Sequence, residues 1–118
     1  MTLDEYFDGN KESRWLFDCL LEMVQSLGAA EMRVQQSQIA FVRSKGFAYV
    51  SLPHKHEPGK ASPLILSISL RRRDPSPRWK KVVSLPSNSC THYMELFSPD
   101  EVDEQVCGWL QEAWGQAA

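Results

Sequence analysis

The chain has 118 residues, the length of one domain, and can bury a core without a metal or disulfide. Its 42% hydrophobic and 24% charged residues exclude a disordered or fibrous protein, and no apolar run reaches the roughly 18 residues of a membrane span. The net charge of −2 is unevenly spread, with an acidic amino terminus unlike a secretory signal. We therefore expect one cytoplasmic domain over residues 1–118, without membrane, metal or cofactor.

The first predicted element is an amphipathic helix over residues 11–27. Apolar residues recur there at helical spacing, and the polar residues lie largely off this stripe. Asn10 is placed to cap the start, and Gly28 can end the helix in the left-handed conformation. We expect the stripe to face the core; it consists of Trp15, Leu16, Cys19, Leu20, Met23, Val24 and Leu27.

The middle of the chain changes to a period of two, which is typical of β-strands. The short link Ser44-Lys45-Gly46 predicts a tight antiparallel hairpin. Residues 53–63, rich in proline, form a predicted loop, in which His54 and His56 are interpreted as surface side chains because two ligands do not make a metal site. The alternating segments are Met32–Val34, Ile39–Phe41, Phe47–Tyr49 and Leu64–Leu70.

The carboxyl-terminal part begins with a basic connection, followed by residues 80–85, a turn, and a predicted strand over 90–97. A last helix is predicted from Ser98 as N-cap, with Pro99 at the first helical position. Its buried stripe is expected to contain Val102, Val106, Trp109, Leu110 and Ala113, and Cys107 is also expected in the core. The predicted fold is an α+β two-layer sandwich, with about five largely antiparallel strands and both helices on one face.

The basic connection, residues 71–81, has a net charge of +5 and holds six of the thirteen basic residues. Its prolines keep it extended, and an aromatic ring could stack on a base or a guanidinium. The leading hypothesis is a non-catalytic binding module whose electropositive edge accepts nucleic acid, a nucleotide or an acidic protein. The alternative is a solvated connection whose charges are balanced by helix acids. The edge comprises Arg71, Arg72, Arg78, Trp79, Lys80 and Lys81, with Arg43 and Lys45 as further candidates.

His92 gives a second hypothesis, because alternation places it on an inward-facing side of its strand beside Cys90. A histidine at such a position could serve as a general base, and a small hydrolase or transferase would use His92 with Arg78 or Cys90. The alternative is a core histidine whose ring nitrogens are hydrogen-bonded. A third hypothesis is a protein-interaction domain, present as a monomer or homodimer.

Several short patterns together resemble a bacterial family of small domains, domain of unknown function 5655. They include Phe7-Asp8-Gly9, the segment 37–50, Ser76-Pro77-Arg78, Thr91-His92-Tyr93 and the closing segment 108–113. The resemblance implies no activity, and it marks Ser37, Arg78 and His92 as polar positions within an apolar pattern. The triple arginine at residues 71–73 is heavier than the resemblance implies, which leaves the basic edge as a feature of this chain.

Overall fold

The sheet is the centre of the fold and has six antiparallel strands in the order β1-β2-β3-β4-β6-β5. The structure is a computed structural model that describes residues 1–53 and 62–118. His54 and His56 of the predicted loop lie outside the described residues. The prediction of an α+β sandwich with a largely antiparallel sheet is confirmed. The strands are β1 Glu31–Val34, β2 Ile39–Val42, β3 Gly46–Ser51, β4 Leu64–Leu70, β5 Lys81–Ser84 and β6 Cys90–Leu96.

The helices are α1 Leu3–Tyr6, α2 Lys11–Leu27 and α3 Glu104–Gln116. The boundaries of α2 match the prediction, but the Asn10 side chain donates to the Asp8 carbonyl and does not cap the helix. The last helix starts later than predicted, because Pro99–Glu101 form a separate 3-10 turn. Asp103 is the N-cap of α3, since its carboxylate accepts from the Val106 backbone N–H.

The two faces of the sheet differ in what covers them. Leu64, Leu66, Ile68 and Leu70 of β4 are fully buried and belong to the same apolar core as the inward residues of α2 and α3. The helices therefore pack on one face, which we call the core face. The intervening residues point to the opposite face, as strand alternation requires. No described helix packs on that face, which we call the open face.

Helix α2 buries a slightly different stripe from the one predicted. Trp15 is 60% exposed, whereas Phe17, absent from the predicted stripe, is fully buried and stacks on Phe41. Cys19 and Cys107 are half-buried, so the prediction that both lie in the core is wrong. The stripe is rotated toward Phe17 because this side of α2 meets the sheet.

Gly28 ends α2 at a place where another residue would collide with α3. Its φ of 146° is positive, as predicted for a terminating glycine, but its ψ of −162° is extended rather than left-handed. A Cβ atom there would lie 2.5 Å from the Trp114 ring. Trp114 is held in this position because its indole N–H donates to the Ala29 carbonyl at 2.9 Å.

The predicted β2–β3 hairpin is present, and it contains a β-bulge. Phe41 pairs with Ala48 and Val42 pairs with Gly46, so Phe47 is the extra residue. Both Phe47 and Ala48 are buried as a result. In the described ranges 1–53 and 62–118, no helix is long and apolar enough to cross a membrane.

Candidate functional site

His92 lies in the core and is fully buried. Its Nε2 accepts from the Asp74 backbone N–H at 2.9 Å, so its Nδ1 carries the proton and faces the Cys90 carbonyl at 3.1 Å. Both ring nitrogens are thus occupied by backbone groups. This arrangement is that of a structural histidine which fixes the basic connection against β6.

Cys90 and Arg78, proposed to act with His92, do not converge on its ring, and neither does Ser37, which the family resemblance marks. The contact with Cys90 is through the backbone carbonyl, and the Cys90 thiol lies 3.6 Å from the Ser84 hydroxyl. The Arg78 guanidinium is directed to the start of α3. Ser37 is exposed in the turn before β2, and two strands separate β2 from β6. The geometry therefore gives no support to a nucleophile and base built on His92.

Trp79 is also in the core, at 8% exposure. Its ring centroid lies 4.3 Å from that of Trp109 and 4.9 Å from that of His92, and its indole N–H donates to the Asp74 carboxylate at 2.9 Å. Little ring surface is left for a partner, contrary to the expectation of an exposed stacking ring. The tryptophan instead attaches the connection to α3.

Asp74 collects the hydrogen bonds that hold this attachment together. Burial raises the pKa of its carboxyl, but hydrogen bonds from Trp79, the Ser76 backbone N–H and Arg72 outweigh that effect and bring the pKa to about 2. Arg72 also donates two hydrogen bonds of 2.9 Å to Glu112 on α3, which lower the pKa of the Glu112 carboxyl. The charge of Arg72 is therefore matched by two carboxylates.

A second ion pair fixes the connection to the start of α3. Arg78 donates to both carboxylate oxygens of Asp103 at 3.0 Å, and also to the Gln105 side chain and the Glu101 carbonyl. The Lys80 ammonium lies 3.8 Å from the Glu95 carboxylate on β6. We call the group that packs the connection on α3 the α3 clamp; it consists of Arg72, Asp74, Arg78 and Trp79 with Asp103, Trp109 and Glu112.

Other cations predicted for the edge contact neutral groups. Arg71 donates to the Gln116 carbonyl at 2.8 Å, and Arg43 donates to the Trp114 carbonyl at 3.1 Å with its guanidinium 3.6 Å from that ring centroid. Carbonyl oxygens at a helix end carry only partial negative charge. Within the described part of the chain, neither arginine forms an ion pair, so no described carboxylate offsets the charge of either.

Arg71 also lines a cleft of approximately 460 Å³ at the end of the sheet, which we call the sheet-end cleft. It lies where β3 begins, β4 ends and the β5–β6 turn approaches the last turn of α3. Lys45 from the β2–β3 turn is the second cation. The apolar lining consists of the exposed Leu85 and of Phe47, Leu70 and Ala113, which are buried beneath the cleft. No described carboxylate side chain lines this cleft. Four hydroxyl groups do, those of Tyr49, Ser69, Ser87 and Ser89.

The position of the Tyr49 ring depends on Gly46. The Tyr49 hydroxyl occupies the space where a Cβ of residue 46 would stand, with the ring carbon Cζ 3.0 Å from that point. Glycine therefore allows the phenol to lie over the bulged start of β3, beside Lys45. The cleft combines positive charge, hydroxyl groups and an aromatic ring.

The family assignment rests on nearly the whole chain. The family model described as Domain of unknown function (DUF5655) matches residues 3–117. The chain belongs to the DUF5655 family. No curated protein and no solved structure matches it. The function proposed for this DUF5655 domain therefore rests on the geometry of its own side chains.

Sequence reasoning found the cations of this DUF5655 domain but missed its hydroxyl groups. These hydroxyl groups come from three parts of the chain that strand pairing brings together: Tyr49 on β3, Ser69 on β4, and Ser87 with Ser89 in the β5–β6 turn. A usable signal was present: in antiparallel pairing the start of β3 and the end of β4 lie at the same end of the sheet.

In the part of the chain covered by the structure, no group of three or more His, Cys, Asp or Glu side chains could hold a metal ion.

Proposed function

We propose that this domain is a binding module for an anionic ligand, which it holds in the sheet-end cleft. One observation carries the proposal: Lys45 and Arg71 line a cleft without a described carboxylate, whereas Arg72, Arg78 and Lys80 are paired with acids. A cation that is not paired with a carboxylate and lies beside hydroxyl donors stabilises an oxyanion through charge-assisted hydrogen bonds. The ligand-binding edge is thus smaller than the edge predicted from the sequence and is centred on different residues.

The size and lining of the cleft favour an organic anion carrying a phosphate group. A volume of approximately 460 Å³ lies in the ordinary range of small-molecule sites. The exposed side chain of Leu85 suits the non-polar part of such a ligand, and serine hydroxyls donate to phosphate oxygens. Cys19, Cys90 and Cys107 are free thiols, which supports a reducing cytoplasmic setting for the module.

Pyrophosphate is a suitable probe, because it presents the charged group alone. We expect a pyrophosphate titration followed by ¹H–¹⁵N NMR to shift the amides of Lys45, Ser69, Arg71 and Ser89. Lys45→Gln is expected to weaken binding by about fivefold to tenfold, as is usual for loss of one charge-assisted hydrogen bond at a partly solvated site. Affinity should also fall as the salt concentration rises.

Arg73→Gln is the matched control for Lys45→Gln. Arg73 is exposed two residues from Arg71, does not line the cleft, and forms no ion pair with any described residue. The control variant is expected to bind pyrophosphate within twofold of the wild type. Absence of pyrophosphate binding, or an equal loss in both variants, would contradict a site in the cleft.

A further inference from the structure

The open face of the sheet carries a row of side chains that starts at the sheet-end cleft. Tyr49 on β3 pairs with Ser67 on β4, which pairs with Tyr93 on β6, which pairs with Lys81 on β5. The four residues are therefore direct lateral neighbours across four strands. Tyr49 belongs to the cleft as well, so the row and the cleft form one continuous surface.

The two tyrosines of this row are suited to stack planar rings. Both are half-buried, and they stand roughly 10 Å apart because two strand spacings separate them. Ser67 between them is small and only 7% exposed, so it adds little relief to the surface. Aromatic side chains held on a sheet face accept unstacked bases, since every base offers a flat π surface.

The charges on this face complement a phosphate backbone. The Lys81 ammonium lies over the Tyr93 ring, 4.6 Å from its centroid, and forms no ion pair with any described residue. A base that stacks on this side of the ring displaces the ammonium, which is then available to a phosphate. Glu95 is the acid on the same face of β6, and Lys80 pairs with it at 3.8 Å. Lys81 at one end of the row and Lys45 with Arg71 at the other therefore flank the two rings with positive charge.

We propose that the row Tyr49–Ser67–Tyr93–Lys81 and the sheet-end cleft together bind single-stranded nucleic acid. This inference rests on the proposed anion site: the cleft takes a phosphate through Lys45 and Arg71, and the tyrosines stack successive bases. A mononucleotide fills only the cleft end of this surface. A duplex keeps its bases stacked inside the helix and offers no free ring to the tyrosines.

The test compares two octamers of equal length and charge. Fluorescence anisotropy is measured for labelled single-stranded (dT)₈ and for an abasic octamer with the same phosphates but no bases. We expect (dT)₈ to bind at least tenfold more tightly than the abasic octamer, thymidine monophosphate or an eight-base-pair duplex. Tyr93→Leu is expected to weaken (dT)₈ binding about tenfold, because one stacked base is lost.

Two comparisons distinguish failure of this inference from failure of the anion site. Tyr93→Phe keeps the ring and should bind (dT)₈ within twofold of the wild type, while Tyr93→Leu should bind pyrophosphate normally, which also shows that it is folded. Equal binding of both octamers, or of thymidine monophosphate and (dT)₈, would overturn the single-strand inference and leave the anion site standing. If the wild type does not bind pyrophosphate, both the anion site and the single-strand inference are wrong.

Discussion

Two adjacent arginines, Arg71 and Arg72, belong to regions of the molecule with different roles. Arg72 donates to Glu112 and Asp74 and is part of the α3 clamp, whereas Arg71 donates to the Gln116 carbonyl and lines the sheet-end cleft. Both side chains contact the last turns of α3. They differ in the acceptor they meet, a carboxylate for one and a neutral carbonyl for the other.

This difference shows that a dense run of positive charge in a sequence does not measure the charge available to a partner. The net +5 of residues 71–81 is reduced in the fold by acids from α3 and β6 that lie far away in the chain. Charge remains where the local acceptors are neutral, as at Arg71. We therefore expect variants of the α3 clamp to change stability and variants of the cleft to change binding.

The largest expected effect is the loss of the Trp79 ring from the α3 clamp. Trp79→Ala removes a buried indole that packs on Trp109 and His92 and leaves the Asp74 carboxylate without one of its donors. We expect the free energy of unfolding to fall by about 3–5 kcal/mol, a large part of the stability of a domain of this size. Urea denaturation followed by far-UV circular dichroism measures this loss.

Trp15→Ala is the matched control, because it makes the same substitution at an exposed tryptophan. Trp15 is 60% exposed, against 8% for Trp79. The free energy of unfolding of the Trp15 variant should lie within about 0.5 kcal/mol of the wild-type value. Similar losses in the two variants would mean that Trp79 does not anchor the connection.

Most of the fold could be predicted from the periodicity of apolar residues. The strands, the β2–β3 hairpin and the extent of α2 are set by local spacing and turn residues, which act over a few positions. The errors involve contacts that spacing does not determine. Trp15 and Phe17 both suit a helix stripe, and the sheet that packs against α2 decides which of them is buried.

The candidate site was less accessible to sequence reasoning because it depends on partners distant in the chain. Arg72 meets Glu112, 40 residues away, and Arg43 meets the Trp114 carbonyl, 71 residues away. Charge and residue type identified the arginines, but only the tertiary structure supplies their acceptors. The burial of Trp79 has the same origin, since α3 covers its ring.

The next largest expected effect is on stability in acid, to which the Asp74 carboxylate contributes. Its pKa is about 2 in the folded protein against an ordinary value of 3.8, so the unfolded chain binds more protons between these values. The contribution of the carboxylate is complete above about pH 5 and is lost as the pH falls through about 2. By linkage it amounts to about 2 kcal/mol at neutral pH.

Asp74→Asn is the variant that isolates this effect, since it keeps the shape of the side chain and removes the titration. Urea denaturation at pH 7, 4 and 2 should give a difference of about 2 kcal/mol at pH 7 that shrinks toward pH 2. The pKa of Glu112 and Asp103 is also lowered, but these acids are common to both proteins, so the difference between the proteins reports chiefly on Asp74. A difference independent of pH would show that the Asp74 charge does not stabilise the α3 clamp.

The smallest expected effect is that of Lys45→Gln on the free energy of unfolding, and it directly tests whether the sheet-end cleft is separate from the α3 clamp. Lys45→Gln and Arg72→Gln each remove one positive charge, but only the second leaves acids, Glu112 and the largely buried Asp74, without their partner. We expect Arg72→Gln to lower the free energy of unfolding by about 1 kcal/mol, because Arg72 is partly solvated, and Lys45→Gln to change it by less than about 0.5 kcal/mol. Urea denaturation of both variants, beside their pyrophosphate affinities, gives the result. A Lys45 variant that loses stability as the Arg72 variant does would place both residues in one structural network and would end the distinction between clamp and cleft.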